Sequence, residues 1–105
     1  MKSGIGPETL AERLLRLGET SDAALSSYLR SVQADAYDLL DLCVAYRKAR
    51  DRVATLCQRN APLRVRMRAC DDYVVLAAAI RPLAWMVGVN VETVVRPYEP
   101  EQAAV

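Results

Sequence analysis

Asn60-Ala61-Pro62-Leu63-Arg64-Val65-Arg66-Met67-Arg68 is the stretch on which the fold turns. From Leu63 to Arg68 apolar and basic residues alternate with period two, the pattern of a half-buried strand. The same residues also open a helix. Leu63, Met67, Cys70, Val74 and Ala77 fall on one face at steps of four and three, and Pro62 suits an early helical position, where a missing N–H costs nothing. The chain holds no second period-two segment to pair with, and a lone strand leaves its backbone groups unpaired. Helix is the better reading, and a strand here would require a partner chain.

Working upstream, Glu19 to Asn60 is a run of 42 residues with neither Gly nor Pro. Ser21-Asp22 offers an N-cap at its start. Ala24, Leu25, Tyr28, Leu29 and Val32 form one apolar patch, and Ala36, Leu39, Cys43, Tyr46, Val53 and Leu56 continue at helical steps, with Arg50 interrupting the seam. One helix of that length would span about 60 Å at 1.5 Å per residue, so a break is expected near Ser31 to Ala34. Before it, Pro7-Glu8-Thr9 opens a short helix whose leucines Leu10, Leu14 and Leu17 make a docking stripe, and Gly18 stops it. Downstream, Arg81-Pro82 is expected to kink or end the helix that starts near Pro62; Leu83 to Val87, with Trp85, then makes a short one, and Gly88-Val89-Asn90 turns into Val91 to Arg96 before Pro97. The expected fold is all-α: one domain over 1–105, a small helical bundle or helical hairpin with a docked N-terminal helix and a short kinked C-terminal helical corner, frayed at 1–6 and 98–105.

Composition narrows the function. With 52% hydrophobic and 26% charged residues, the 105-residue chain has the profile of a globular domain with one modest core. There is no histidine, which removes the commonest general base and metal ligand, and lysine is confined to Lys2 and Lys48. No catalytic residue, cofactor site or metal site is expected, and the adjacent acids Asp71-Asp72 read as punctuation at a helix start. Cys43, Cys57 and Cys70 include no Cys-x-x-Cys pair and lie within apolar patterns, so reduced, mostly buried thiols are expected. The first residues lack the apolar core of a secretory signal, and the apolar stretch Tyr73 to Ile80 falls far short of the ~20 residues that span a bilayer. A cytoplasmic protein without membrane contact is the expectation.

The near-neutral total, +1, hides an uneven distribution. Met1 to Tyr46 carries four bases and seven acids, Arg47 to Arg68 eight and one, and the remainder two and five, giving nets of −3, +7 and −3. Part of this suits helix dipoles, since Asp35, Asp38 and Asp41 precede Arg47, Lys48, Arg50, Arg52 and Arg59 along one helix. That account fails at Arg64, Arg66 and Arg68, which would crowd positive charge onto the positive end of the next helix. If Asn60 to Pro62 is the bend of a hairpin, both basic segments meet at one tip. An anion is the implied partner, and the arginine fork suits phosphate or carboxylate. Arg47, Lys48, Arg52, Arg59, Arg64, Arg66 and Arg68 are the candidate contacts, to a nucleic-acid backbone or to an acidic protein surface. No aromatic residue lies among them, so phosphate contact without base stacking is the implied mode. Twelve arginines against two lysines is also the bias that a GC-rich bacterial or phage genome would impose.

Two local resemblances bear on this. Leu83 to Arg96, with Ala84, a turn glycine at Gly88 and Val94, resembles the helix-turn-helix segment of bacterial and phage repressors, whose second helix reads bases in the major groove. The resemblance implies such a role for Glu92, Thr93 and Arg96, although Pro97 limits that helix to about six residues; a plain helical corner packing Trp85 and the valines is the alternative. The alternating arginines of Leu63 to Arg68 are similar to ribbon-helix-helix repressors, whose ribbon forms between two chains. Taken together, the sequence points to a small non-enzymatic helical module that binds nucleic-acid backbone through a basic tip, as a subunit or regulator of a larger nucleoprotein system, with a homodimer or a place in a larger assembly left open. The rival is a protein-interaction adaptor or inhibitor, of phage or mobile-element type, that docks on an acidic or apolar partner surface.

Overall fold

The structure, a computed structural model, describes residues 8–90, and its elements are α1 (Leu10–Leu17), α2 (Asp22–Ser31), α3 (Ala36–Gln58) and α4 (Leu63–Met86). Leu63 to Arg68 is helical and forms the first turns of α4. No ribbon therefore exists at these residues, and the likeness to ribbon-helix-helix repressors ends there. Among the described residues no strand occurs.

Polar caps fix where three helices begin. Thr9 and Glu12 form a reciprocal capping box at α1, Asp35 and Asp38 form another at α3, and the Ser21 hydroxyl accepts from the Ala24 N–H at α2. Each helix stops at a left-handed residue. Gly18 at φ 68° and Gly88 at φ 79° are joined by two residues that carry a side chain there, Gln33 at φ 55° and Asn60 at φ 57°. Beyond three of these stops an N–H donates back across six residues, Ala34 to Leu29 at 3.0 Å, Ala61 to Leu56 at 3.0 Å and Val89 to Ala84 at 2.8 Å. The break between α2 and α3 thus falls where expected.

α3 and α4 form an antiparallel hairpin, and α1 packs across both while α2 packs on α4. The contact that sets the hairpin's register is Tyr46 on Tyr73, rings 5.1 Å apart and 24° from parallel, with hydroxyls 3.1 Å apart. Leu39, Leu42, Cys43 and Tyr46 of α3 face Leu76, Ala79, Ile80 and Leu83 of α4, and Leu10, Leu14, Leu25 and Leu29 close over them. This core occupies the half of the hairpin away from its turn. In the distal half, from Arg47 to Arg68, no residue is fully buried; Ala69, just beyond it, is.

Several expectations are corrected. Pro82 neither ends nor separates a helix: α4 runs through it to Met86, with the proline ring buried in the core, so no separate C-terminal corner starts at Leu83. Trp85 is 77% exposed and is not the packing centre of such a corner. Leu17 is exposed, and α1 docks through Leu10, Ala11 and Leu14. Asp71 and Asp72 lie in the middle of α4, not at a helix start. Cys43 is buried, but Cys57 and Cys70 are exposed; all three are free thiols. Val91 to Arg96, the second helix of the helix-turn-helix resemblance, lies outside the described residues, as do the ends expected to fray.

The balance between core and turn can be measured. Gly18→Ala places a methyl where nothing lies within 4 Å, so its cost is that of the positive φ alone, about 1 kcal/mol. Leu14→Ala empties a fully buried site and should cost about 2–5 kcal/mol. Urea unfolding of both variants checks the ranking, and equal losses would show that α1 is not docked by Leu14.

Candidate nucleic-acid interface

The hairpin turn brings the two basic segments together as the charge pattern requires. Arg59 is the C-cap of α3, and Arg64 lies in the first turn of α4, four residues beyond the left-handed Asn60. Arg52 and Arg59 are separated by seven residues and Arg64 and Arg68 by four, so each pair shares a helix face. All four, and Lys48, are exposed. Counting about 100° per residue from the contact between Tyr46 and Tyr73 carries Arg52, Arg59 and Arg68 to one flank of the hairpin and Arg64 to its outer edge. Lys48 to Arg59 extends about 16 Å along α3 at 1.5 Å per residue, so the basic surface is a strip that leads down from the tip.

The remaining candidates are placed differently. Arg66 is half-buried, and its Nε donates to the Ala61 carbonyl at 2.8 Å, which ties the turn to the start of α4. Arg47 is exposed but already engaged within the chain. Arg50, which the sequence reading treats as an interruption of the seam, turns inward: its Nη2 lies 3.3 Å from Asp51, while its Nη1 is buried without a partner. It adds charge to the distal half without reaching outward.

Folding does little to neutralise the strip. The side chains of Arg52, Arg59, Arg64 and Arg68 form no ion pair or hydrogen bond with a described residue. At α4 the usual N-terminal devices are missing: Pro62 caps without a side-chain hydrogen bond, and the first turn holds no acid. The Leu63 and Arg64 N–H groups stay unpaired within the described chain, while those of Val65 and Arg66 bond to the Pro62 carbonyl at 3.0 and 3.1 Å. Free N–H donors at a positive dipole end, beside unpaired arginines, suit an anion. The sequence carried this signal in the pairing of Pro62 with Arg64, where an acid would be normal.

Other chemistries find less support among the described residues. No group of Cys, Asp or Glu there could hold a metal ion, and no helix is long and apolar enough to cross a membrane. Burial raises the Cys43 thiol above its ordinary value of 9. The unfolded chain releases that proton first, so the contribution of Cys43 to stability holds below pH 9 and declines above it. Compared with known proteins, the chain matches no family model, no curated protein and no solved structure.

Two outcomes follow from this geometry. A thiol reagent at neutral pH should modify Cys57 and Cys70 promptly and Cys43 only on unfolding; three equally fast thiols would contradict the packing around Cys43. Arg64→Glu should stabilise the fold by about 0.3–1 kcal/mol at low salt by restoring the acid that the helix start lacks. Urea unfolding at low and high salt tests this, and a loss of stability would show that Arg64 has an architectural partner.

Proposed function

We propose that this chain is a non-enzymatic helical binding module whose basic strip engages nucleic-acid backbone, as a subunit or regulator of a nucleoprotein system. The observation that carries this reading is the start of α4, where Arg64, Arg68 and unpaired N–H groups stand uncapped beside Arg59. Like charge at a positive dipole end works against folding, by about 0.3–1 kcal/mol per residue, unless an anion occupies the place. Phosphate meets each requirement: it accepts from backbone N–H groups and takes two parallel bonds from a guanidinium.

Backbone contact without sequence reading is the mode that the residues support. Between Arg47 and Arg68 there is no aromatic side chain to stack on a base. Lys48, Arg52 and Arg59 on α3 and Arg64 and Arg68 on α4 are the contacts. Arg66 acts at one remove by bracing the turn, and Arg47 borders the strip.

The salt dependence of binding gives the test. Replacing Arg59 and Arg68 together by Ala should weaken binding to unrelated duplexes to the same degree and lower the slope of log affinity against log salt by up to ~2. Both positions are exposed, so stability should change by no more than about 0.5 kcal/mol. A titration at several salt concentrations, with circular dichroism on the variant, separates the outcomes. If the wild-type chain binds neither DNA nor RNA but retains an acidic protein that the variant loses, the strip is a protein-docking surface.

A further inference from the structure

α4 carries a second apolar stripe that its own chain leaves uncovered. Leu63, Met67 and Val74 are 63%, 56% and 51% exposed, and Cys70 between them is also exposed. Their spacing is four, three and four, the 3.5-residue repeat of a coiled-coil seam, sustained over three turns. Isolated apolar residues on a surface are ordinary; an unbroken seam on one helix face is not. The packed face of α4, through Ala69, Leu76, Ile80 and Leu83, is distinct from it.

We infer that this stripe is the contact between two copies of the chain, paired antiparallel through α4 about a twofold axis between Arg68 and Ala69. In that register Leu63 meets the partner's Val74 and Met67 meets the partner's Cys70, and the twofold repeats both contacts. Every layer joins a larger side chain to a smaller one. The charges beside the seam select the same arrangement. Arg64 and Asp71 flank the stripe on its one side, both exposed and neither paired within the described chain. The antiparallel register sets Arg64 about 3 Å along the axis from the partner's Asp71, within reach of an ion pair, twice per dimer.

A parallel pairing fails on charge, because it would lay one basic tip on the other. The antiparallel one separates the two Ala61 positions by about 22 Å along the axis. The seam ends in an open groove lined by Thr20, Asp22, Val74, Ala77, Ala78 and Arg81, which gives the partner's turn room to lie. A seam of four layers is short, so the dimer belongs to the weak, reversible class of interface. The inference does not rest on nucleic-acid binding.

Sedimentation equilibrium of the full chain from about 10 µM to 1 mM tests it. The wild-type mass should rise reversibly from monomer toward dimer with concentration. Met67→Asp and Asp71→Arg should remain monomeric throughout with unchanged circular dichroism, and combining Arg64→Asp with Asp71→Arg should restore dimerisation. A wild-type chain that stays monomeric at 1 mM overturns the inference, as does a folded Met67→Asp variant that still dimerises. A folded charge-swap variant that stays monomeric overturns the antiparallel register.

Discussion

The antiparallel pairing of α3 with α4 is the constraint on which the rest of the molecule depends. Neither α1 nor α2 has a surface of its own to fold against, since each buries two or three small or leucine side chains on a platform made by the long helices. Two contacts set that platform. The left-handed Asn60 reverses the chain, and the stacked Tyr46 and Tyr73, with their hydroxyls in hydrogen-bond contact, fix which turns face each other. Burial of the leucines then supplies the non-directional part, about 1.5–3 kcal/mol for each fully buried side chain. No charged residue among those described is fully buried, and the inward-turned Arg50, whose Nη1 is buried without a partner, keeps its Nη2 beside Asp51.

How far this was legible depends on which signal each residue sent. The helix break between α2 and α3 was readable from length alone, and the helical start at Leu63 from the lack of any strand to pair with. The buried face of α4 was not. Periodicity picks out Leu63, Met67, Cys70 and Val74 because hydropathy weights them strongly, whereas the face that packs relies partly on Ala69 and Ala79, whose small side chains weigh little in hydropathy yet are buried. The same bias placed Cys57 and Cys70 inside when both are exposed. Pro82 misled for a different reason. It removes one hydrogen bond near the end of a 24-residue helix, and burial of its ring in the core together with Leu83 and Ala84 outweighs that loss.

Of the basic site, the sequence revealed the charge and the turn but not the allocation. Arg66 and Arg64 sit two residues apart in an alternating run and look equivalent, yet a helix turns them about 200° from each other. One faces the Ala61 carbonyl and serves the turn; the other faces water. Where local preference and global fold disagree, a functional demand is the usual cause, and here the disagreement is confined to the first turn of α4. Every other described helix has a side-chain cap and an acid in its first turn.

The two surfaces proposed for the distal hairpin lie on opposite flanks of it. Counted at about 100° per residue from the contact between Tyr46 and Tyr73, Leu63, Met67, Cys70 and Val74 fall on the flank away from Arg52, Arg59 and Arg68, while Arg64 and Asp71 point outward between the two. Pairing through Leu63, Met67, Cys70 and Val74 would therefore turn the two basic strips to opposite faces of the dimer, with the two turns pointing in opposite directions. An ion pair of Arg64 with the partner's Asp71 would neutralise one charge per copy and leave Lys48, Arg52, Arg59 and Arg68 open. Each strip alone offers too few phosphate contacts for tight binding at physiological salt, because affinity falls steeply with ionic strength when only counterion release drives it. With the strips on opposite faces, one straight duplex segment cannot lie on both, so each strip would engage its own segment and the dimer would link two of them. Apart from Arg64, which both surfaces use, the seam and the basic strip then act independently, and each can be disabled by substitution without loss of the other.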